Sequence, residues 1–212
     1  IDEEAARHLR THLSARKIVD FSGPHGWTYS AVNAGRLEYD PAREVDGVGW
    51  AQREVLPLME IRVPFSLNQF ELDNVTRGSK DCDLAPLQEA AKKIARFEDN
   101  AIYSGFDDAG IVGVSKATEH KPVPLPKEVD GWPKAVATAI ENMHLAGIEG
   151  PYSLVLSPDH YHKLTQTTKT GYPLIRVVQG LLGGSIVWSE ALEGGIVLSV
   201  RGGDFELTVG QD

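Results

Sequence analysis

The residues of this chain best placed for chemistry are a few histidines and carboxylates, and their spacing decides what they can do. His8 and His12 are four residues apart, which puts them on one face of a helix and would suit two metal ligands. No acidic or cysteine ligand pair completes such a set, so two solvated helix histidines are expected there. His160 and His162 flank Tyr161, and residues two apart on a helix do not share a face, so chelation by that pair is not expected. Glu98 and Asp99 stand side by side before Asn100, a pairing that suggests acid–base work. Adjacent helix positions point in different directions, however. The two carboxylates are therefore not expected to form one centre, although either could be a buried hydrogen-bonding anchor. The phosphate-binding G-x-x-x-x-G-K-[ST] loop, the G-x-G-x-x-G fingerprint, the H-E-x-x-H helix and the G-x-S-x-G elbow do not occur in the sequence. The expectation is a chain with no catalytic residue, no metal site and no cofactor.

Composition narrows the classes further. The 212 residues suffice for one large domain or two small ones. With 30 acidic against 21 basic residues the net charge is -9, which argues against a nucleic-acid surface over much of the protein. The aromatic residues (8%) are scattered and build no base-stacking platform. A single cysteine, Cys82, excludes an internal disulfide and reads as a loop residue ahead of a helix. No apolar run approaches the ~20 residues of a membrane span, and none resembles a signal-peptide core.

The elements that would carry these residues differ along the chain. Residues 2–14 read as an amphipathic helix with Ala5, Ala6, Leu9 and Leu13 on one stripe, suited either to its own domain or to a partner segment. Residues 34–72 read as extended. Met59, Ile61, Val63, Phe65 and Leu67 alternate with Glu60, Arg62, Pro64 and Ser66, the period of a half-buried strand, and Pro57 and Pro64 place that strand at an edge. Residues 36–39 are expected to pair across the turn-rich DPAREVDG segment as a long hairpin. A ribbon with no core of its own leaves its edges exposed and makes physical sense lying on a neighbouring copy of the chain.

A long helix follows, with Asp83 as a plausible N-cap, Pro86 in the first turn and Gly105 as the stop. Leu87, Ala90, Ile94, Phe97 and Ala101 give it one buried stripe, and at 1.5 Å per residue it is a rod of about 30 Å. After a Pro-rich connection the sequence predicts a helix over 133–146, a buried strand over 152–156, a helix opened by Ser157-Pro158 and another over 173–182. Strands over 185–188, 195–200 and 205–209 close a compact α/β unit.

The segment ELDNVTRGSKDCDLAPLQEAAKKIARFEDNAIYSG (71–105) resembles the spine helix and lead-in loop of the encapsulins, bacterial shell proteins that share the HK97 fold of tailed-phage capsids. GPHGW (23–27), GIEGPYSLVLS (147–157), GYPL (171–174) and RGGDF (201–205) follow the family's order over nearly the whole chain. The resemblance implies an α+β fold with a peripheral domain built on the long spine helix, an axial α/β domain and an extended E-loop β-hairpin. It divides the chain into an N-terminal helix and lead-in (1–33), the E-loop (34–65), the peripheral domain (66–130), the axial domain (131–198) and a return strand (199–212). Family members continue past the position of residue 212, and that continuation completes the peripheral sheet and part of the cargo pocket.

The functional implication is a non-enzymatic subunit of an icosahedral homo-oligomer in the bacterial cytoplasm, with no membrane and no nucleic acid as partners. Its cargo would be a dye-decolourising peroxidase or a ferritin-like iron-storage protein, bound through a C-terminal targeting peptide. Carried over by position, Thr167, Thr168, Lys169, Thr170, Gly171 and Tyr172 would line the pore. Leu9, Leu13, Arg16, Ile18 and Asp20 would dock the cargo peptide. Met59, Ile61, Val63 and Phe65, in the E-loop, would make the contact between neighbouring subunits. The alternatives are a secreted bacteriocin or protease, and a phage major capsid protein that packages DNA.

Overall fold

The computed structural model describes residues 1–40 and 42–211. Pro41, inside the segment expected to turn the hairpin, and Asp212, the last residue of the expected return strand, lie outside the described residues.

Helix α1 (Asp2–His12) begins with Asp2, Glu3 and Glu4, which complement the positive end of the helix dipole, and has Arg10 and His12 in its last turn. It stops short of residue 14 because Leu13 takes extended backbone angles. The chain then turns inward through buried Leu13, Ser14 and Ala15 and a 3-10 turn at Ala15–Lys17, and continues into strand β1 (Asp20–Ser22).

The expected hairpin is present. β2 (Ala31–Glu38) runs antiparallel to β5 (Gln52–Pro57), and at its tip β3 (Glu44–Val45) pairs with β4 (Val48–Gly49). Asp46 and Gly47 both have positive φ at this tip, as a two-residue hairpin turn requires. The alternating row that follows is not a strand: pairing stops at Pro57, and residues 58–68 join no sheet. Pro57 and Pro64 lack the amide hydrogen a ladder needs. The alternation survives only as burial, with Met59, Ile61, Val63 and Leu67 half-buried and Glu60, Arg62, Pro64 and Ser66 exposed, and it is broken at Phe65, which is exposed.

The extended reading of 34–72 also fails at its end, where α2 (Gln69–Thr76) forms. The Asn68 side chain caps it by accepting a 2.9 Å hydrogen bond from the Phe70 amide.

The spine helix α3 (Ala85–Ser104) begins with Pro86 in its first turn and ends at Gly105, whose φ is 85°. Its geometric N-cap is Leu84, but the Asp83 carboxylate accepts from the Ala85 amide at 3.0 Å. Leu87, Ala90 and Ala101 are buried as expected, whereas Ile94 and Phe97 are only half-buried. Ala91, Ala95, Asp99 and Tyr103 are buried too, because α3 has neighbours on more than one side. Beyond it lies the short α4 (Val114–Ala117), where Gly113 approaches the Gly105 amide so closely that no side chain fits.

The α/β unit follows its expected order. It runs α5 (Trp132–Leu145), β6 (Tyr152–Leu156), α6 (Pro158–Gln166), the two short strands β7 (Thr168–Lys169) and β8 (Tyr172–Pro173), α7 (Leu174–Leu182), β9 (Gly183–Trp188) and β10 (Gly195–Ser199). β6 is central, antiparallel to β10 and parallel to β9. Every residue of β6 is buried, and alternate residues serve opposite faces. Tyr152, Leu154 and Leu156 join Trp132, Val136, Leu164, Leu174, Val178 and Leu182 on the helical side. Val155, Val187 and Leu198 turn the other way, onto Ala15, Ile18 and Tyr103. The sheet is thus covered by helices on one face and by the spine and the N-terminal segment on the other. The last strand, β11 (Glu206–Thr208), was expected to close the α/β unit but does not join its sheet. It pairs in parallel with β1, because the chain leaves β10 through the bend at 201–204 and returns to the N-terminal segment.

Candidate assembly and docking surfaces

The N-terminal segment is fixed to the spine by the two adjacent carboxylates of α3, which point to different partners. Asp99 is 2% exposed and accepts from the Ser14 amide, the Ser14 hydroxyl, the Ala15 amide at 3.0 Å and the Ser189 hydroxyl at 3.1 Å. With its single proton committed to Asp99, the Ser14 hydroxyl accepts from the Tyr103 phenol at 2.8 Å. Burial pushes that phenol well above its ordinary range, so it stays protonated. Glu98 takes a two-pronged ion pair from Arg16, at 2.7 and 2.8 Å. The Arg16 guanidinium also lies over the Phe21 ring, 5.0 Å from its centroid. Glu4, on α1, accepts from Gln88 on α3, and its hydrogen bond with Arg7 draws the carboxyl down to about 2.

This junction distributes the residues assigned to cargo docking. Leu13 (5% exposed) and Ile18 are in the core, and Arg16 is held by Glu98. Leu9 is half-buried on α1. Asp20 is exposed on β1, where one carboxylate oxygen accepts from the Gly203 amide. Beside it opens a cleft of about 160 Å³ lined by Lys17, Val19, Asp20, Ser199, Gly202 and Phe205, among others. The sequence allowed a buried anchor at either carboxylate without deciding between them, because a carboxylate in mid-helix ordinarily faces water. The signal that picks Asp99 lay in Ser14, a small polar residue directly after an apolar stripe.

The arm contrasts with this junction. All of β5 is exposed, with Val55 at 52% and Leu56 at 58%, and Leu37, Tyr39, Val45, Val48 and Trp50 are uncovered as well. The ribbon is braced locally by Arg43, which pairs with Glu38 at 2.7 Å and sits over Trp50. A two-stranded ribbon is marginal by itself. Met59, Ile61, Val63 and Phe65 lie at its base and not on its strands.

The segment 167–172 is a small hairpin. β7 and β8 pair across Thr170 and Gly171, both with positive φ, and the Leu174 amide donates to the Thr167 carbonyl at 3.0 Å. Thr168, Lys169, Thr170, Gly171 and Tyr172 are exposed, and Thr167 is half-buried.

A spine helix, a helix-covered three-stranded sheet and a projecting ribbon define an HK97-type capsid fold. A crystal structure of a virus-like particle from Pyrococcus furiosus superposes with a TM-score of 0.66 over 100% of this chain and 82% of that chain, at 17% identity. The family model described as "Encapsulating protein for peroxidase" matches residues 1–212. The type 1 encapsulin shell proteins of Mycolicibacterium paratuberculosis and Brevibacterium linens are 43% and 41% identical over 100% of this chain and 80% of their own length. That of Rhodospirillum rubrum is 41% identical over 78% of its length. This chain belongs to the encapsulin shell protein family.

Proposed function

We propose that this chain is a structural, non-catalytic subunit that assembles with copies of itself into a closed icosahedral nanocompartment in the bacterial cytoplasm. The single observation that carries the reading is the β2–β5 ribbon, which leaves large apolar side chains uncovered on a braced, regular element. Burying one such side chain stabilises by ~1.5–3 kcal/mol, and a closed shell repeats that contact at every copy. In this reading the E-loop comprises 34–65, and half-buried Met59, Ile61 and Val63 with exposed Phe65, at its base, contribute to the contact with the neighbouring subunit. The spine helix belongs to the peripheral domain and the three-stranded sheet to the axial domain.

The cargo is an enzyme bearing a C-terminal targeting peptide, and the family description favours a peroxidase over a ferritin-like protein. Half-buried Leu9 on α1 offers an apolar contact to an extended peptide, and exposed Asp20, in the cleft with Gly202 and Phe205, offers a hydrogen-bonding carboxylate. Leu13, Arg16 and Ile18 position them. The test is to co-express a reporter carrying the native cargo's C-terminal tail with Leu9→Asp shells. Intact but empty shells are the expected result, and normal loading of intact Leu9→Asp shells would reject this docking face.

A further inference from the structure

A second, larger cleft, of about 250 Å³, opens between α1, α3 and the end of β9. Three cations line it: Lys17 from the 3-10 turn, and Lys92 and Arg96, one helical turn apart on α3. Two carboxylates face them. Asp99 lies at the floor, and its oxygens are already engaged by Ser14, Ala15 and Ser189. Glu190 stands at the rim, 3.5 Å from Lys92. Lys17 and Arg96 have no acidic partner among the described residues. His12 and the indole of Trp188, which is 41% exposed, complete the wall.

The cleft therefore carries excess positive charge in a chain whose net charge is -9. A concave surface with a net excess of one sign of charge draws in ions of the other. A guanidinium fork beside an ammonium matches the geometry of phosphate oxygens better than that of a spherical ion. We propose that this cleft binds a phosphate-bearing small anion, with Arg96 and Lys92 taking its oxygens from α3 and Lys17 adding a third cation from the 3-10 turn. The site shares Lys17 with the rim of the cargo cleft but needs none of the arm contacts.

Titration calorimetry on the full-length protein, with inorganic phosphate and with adenosine monophosphate at low salt, tests this. Saturable binding is expected, weakened at least about tenfold in Lys92→Gln/Arg96→Gln. Both side chains reach solvent, so unchanged circular dichroism and shell yield are expected for that variant. Tighter binding of the nucleotide would assign the anion to a phosphorylated metabolite stacked on Trp188, and equal binding would assign it to free phosphate. No saturable binding of either anion, or equal binding by the double variant, would overturn the proposal.

Discussion

Asp99 and Ser14, 85 residues apart in sequence, are joined through both the amide and the hydroxyl of the serine. This contact ties the N-terminal segment to the middle of the spine helix and so fixes where Leu9 and Asp20 stand. Asp99→Ala strands two amides and two hydroxyls without their acceptor, and a loss of about 3 kcal/mol or more is expected. Asp99→Asn keeps the volume but one acceptor oxygen only, and should lie between. Urea unfolding at fixed protein concentration measures both. Two variants within about 0.5 kcal/mol of the parent would contradict this role.

Tyr103 makes an alkaline prediction. Its phenol is buried and held above its ordinary value of about 10, so the folded state stays neutral while the unfolded state ionises. A raised folded-state pKa contributes stability that is fully present below pH 10 and declines as pH rises above it. The decline is about 1.4 kcal/mol per pH unit for one such group. Tyr103→Phe loses the hydrogen bond to Ser14 at neutral pH, about 1 kcal/mol, but should show a shallower decline between pH 10 and 11.5. Parallel pH profiles for the two proteins would count against it.

Lys169 projects from the β7–β8 hairpin, next to a turn that Thr170 and Gly171 hold by positive φ. In the proposed shell, a ring of these lysines favours anions over cations. Lys169→Glu should therefore slow the entry of a small anion and speed that of a small cation, read by stopped-flow with an encapsulated reporter, at unchanged shell yield. Unaltered flux for both signs would remove Lys169 from the pore.

How legible the sequence was depends on whether a signal is local. Pro86 and Gly105 frame the spine, Asp46-Gly47 turns the ribbon tip, and Ser157-Pro158 opens α6, all as local chemistry dictates. Helix α2 had a local signal too, since Asn68 followed three residues later by Glu71 is a capping pattern. The period-two row just before it drew the extended reading too far. That row shows why burial and pairing are different questions: Ile61 and Val63 alternate with exposed neighbours, yet no strand accepts their backbone. The site was less legible because its determinants are non-local. Leu13, at the end of the apolar stripe, and Ile18, beyond it, are docking residues by the family resemblance alone. Only the arrival of Tyr103, Val155 and Leu198 from distant elements turns Ile18 and its neighbours into core.

The most direct measurement of the central claim is electron microscopy of the full-length protein expressed alone, beside a Val55→Asp/Leu56→Asp variant. Both side chains are exposed in the single chain, so the variant should keep the parent's circular dichroism and helical stability. The parent is predicted to form closed particles of uniform diameter, and the variant to remain as folded small oligomers or monomers. Parent protein that stays monomeric at high concentration, or variant shells that close as well as the parent's, would contradict an arm-driven shell.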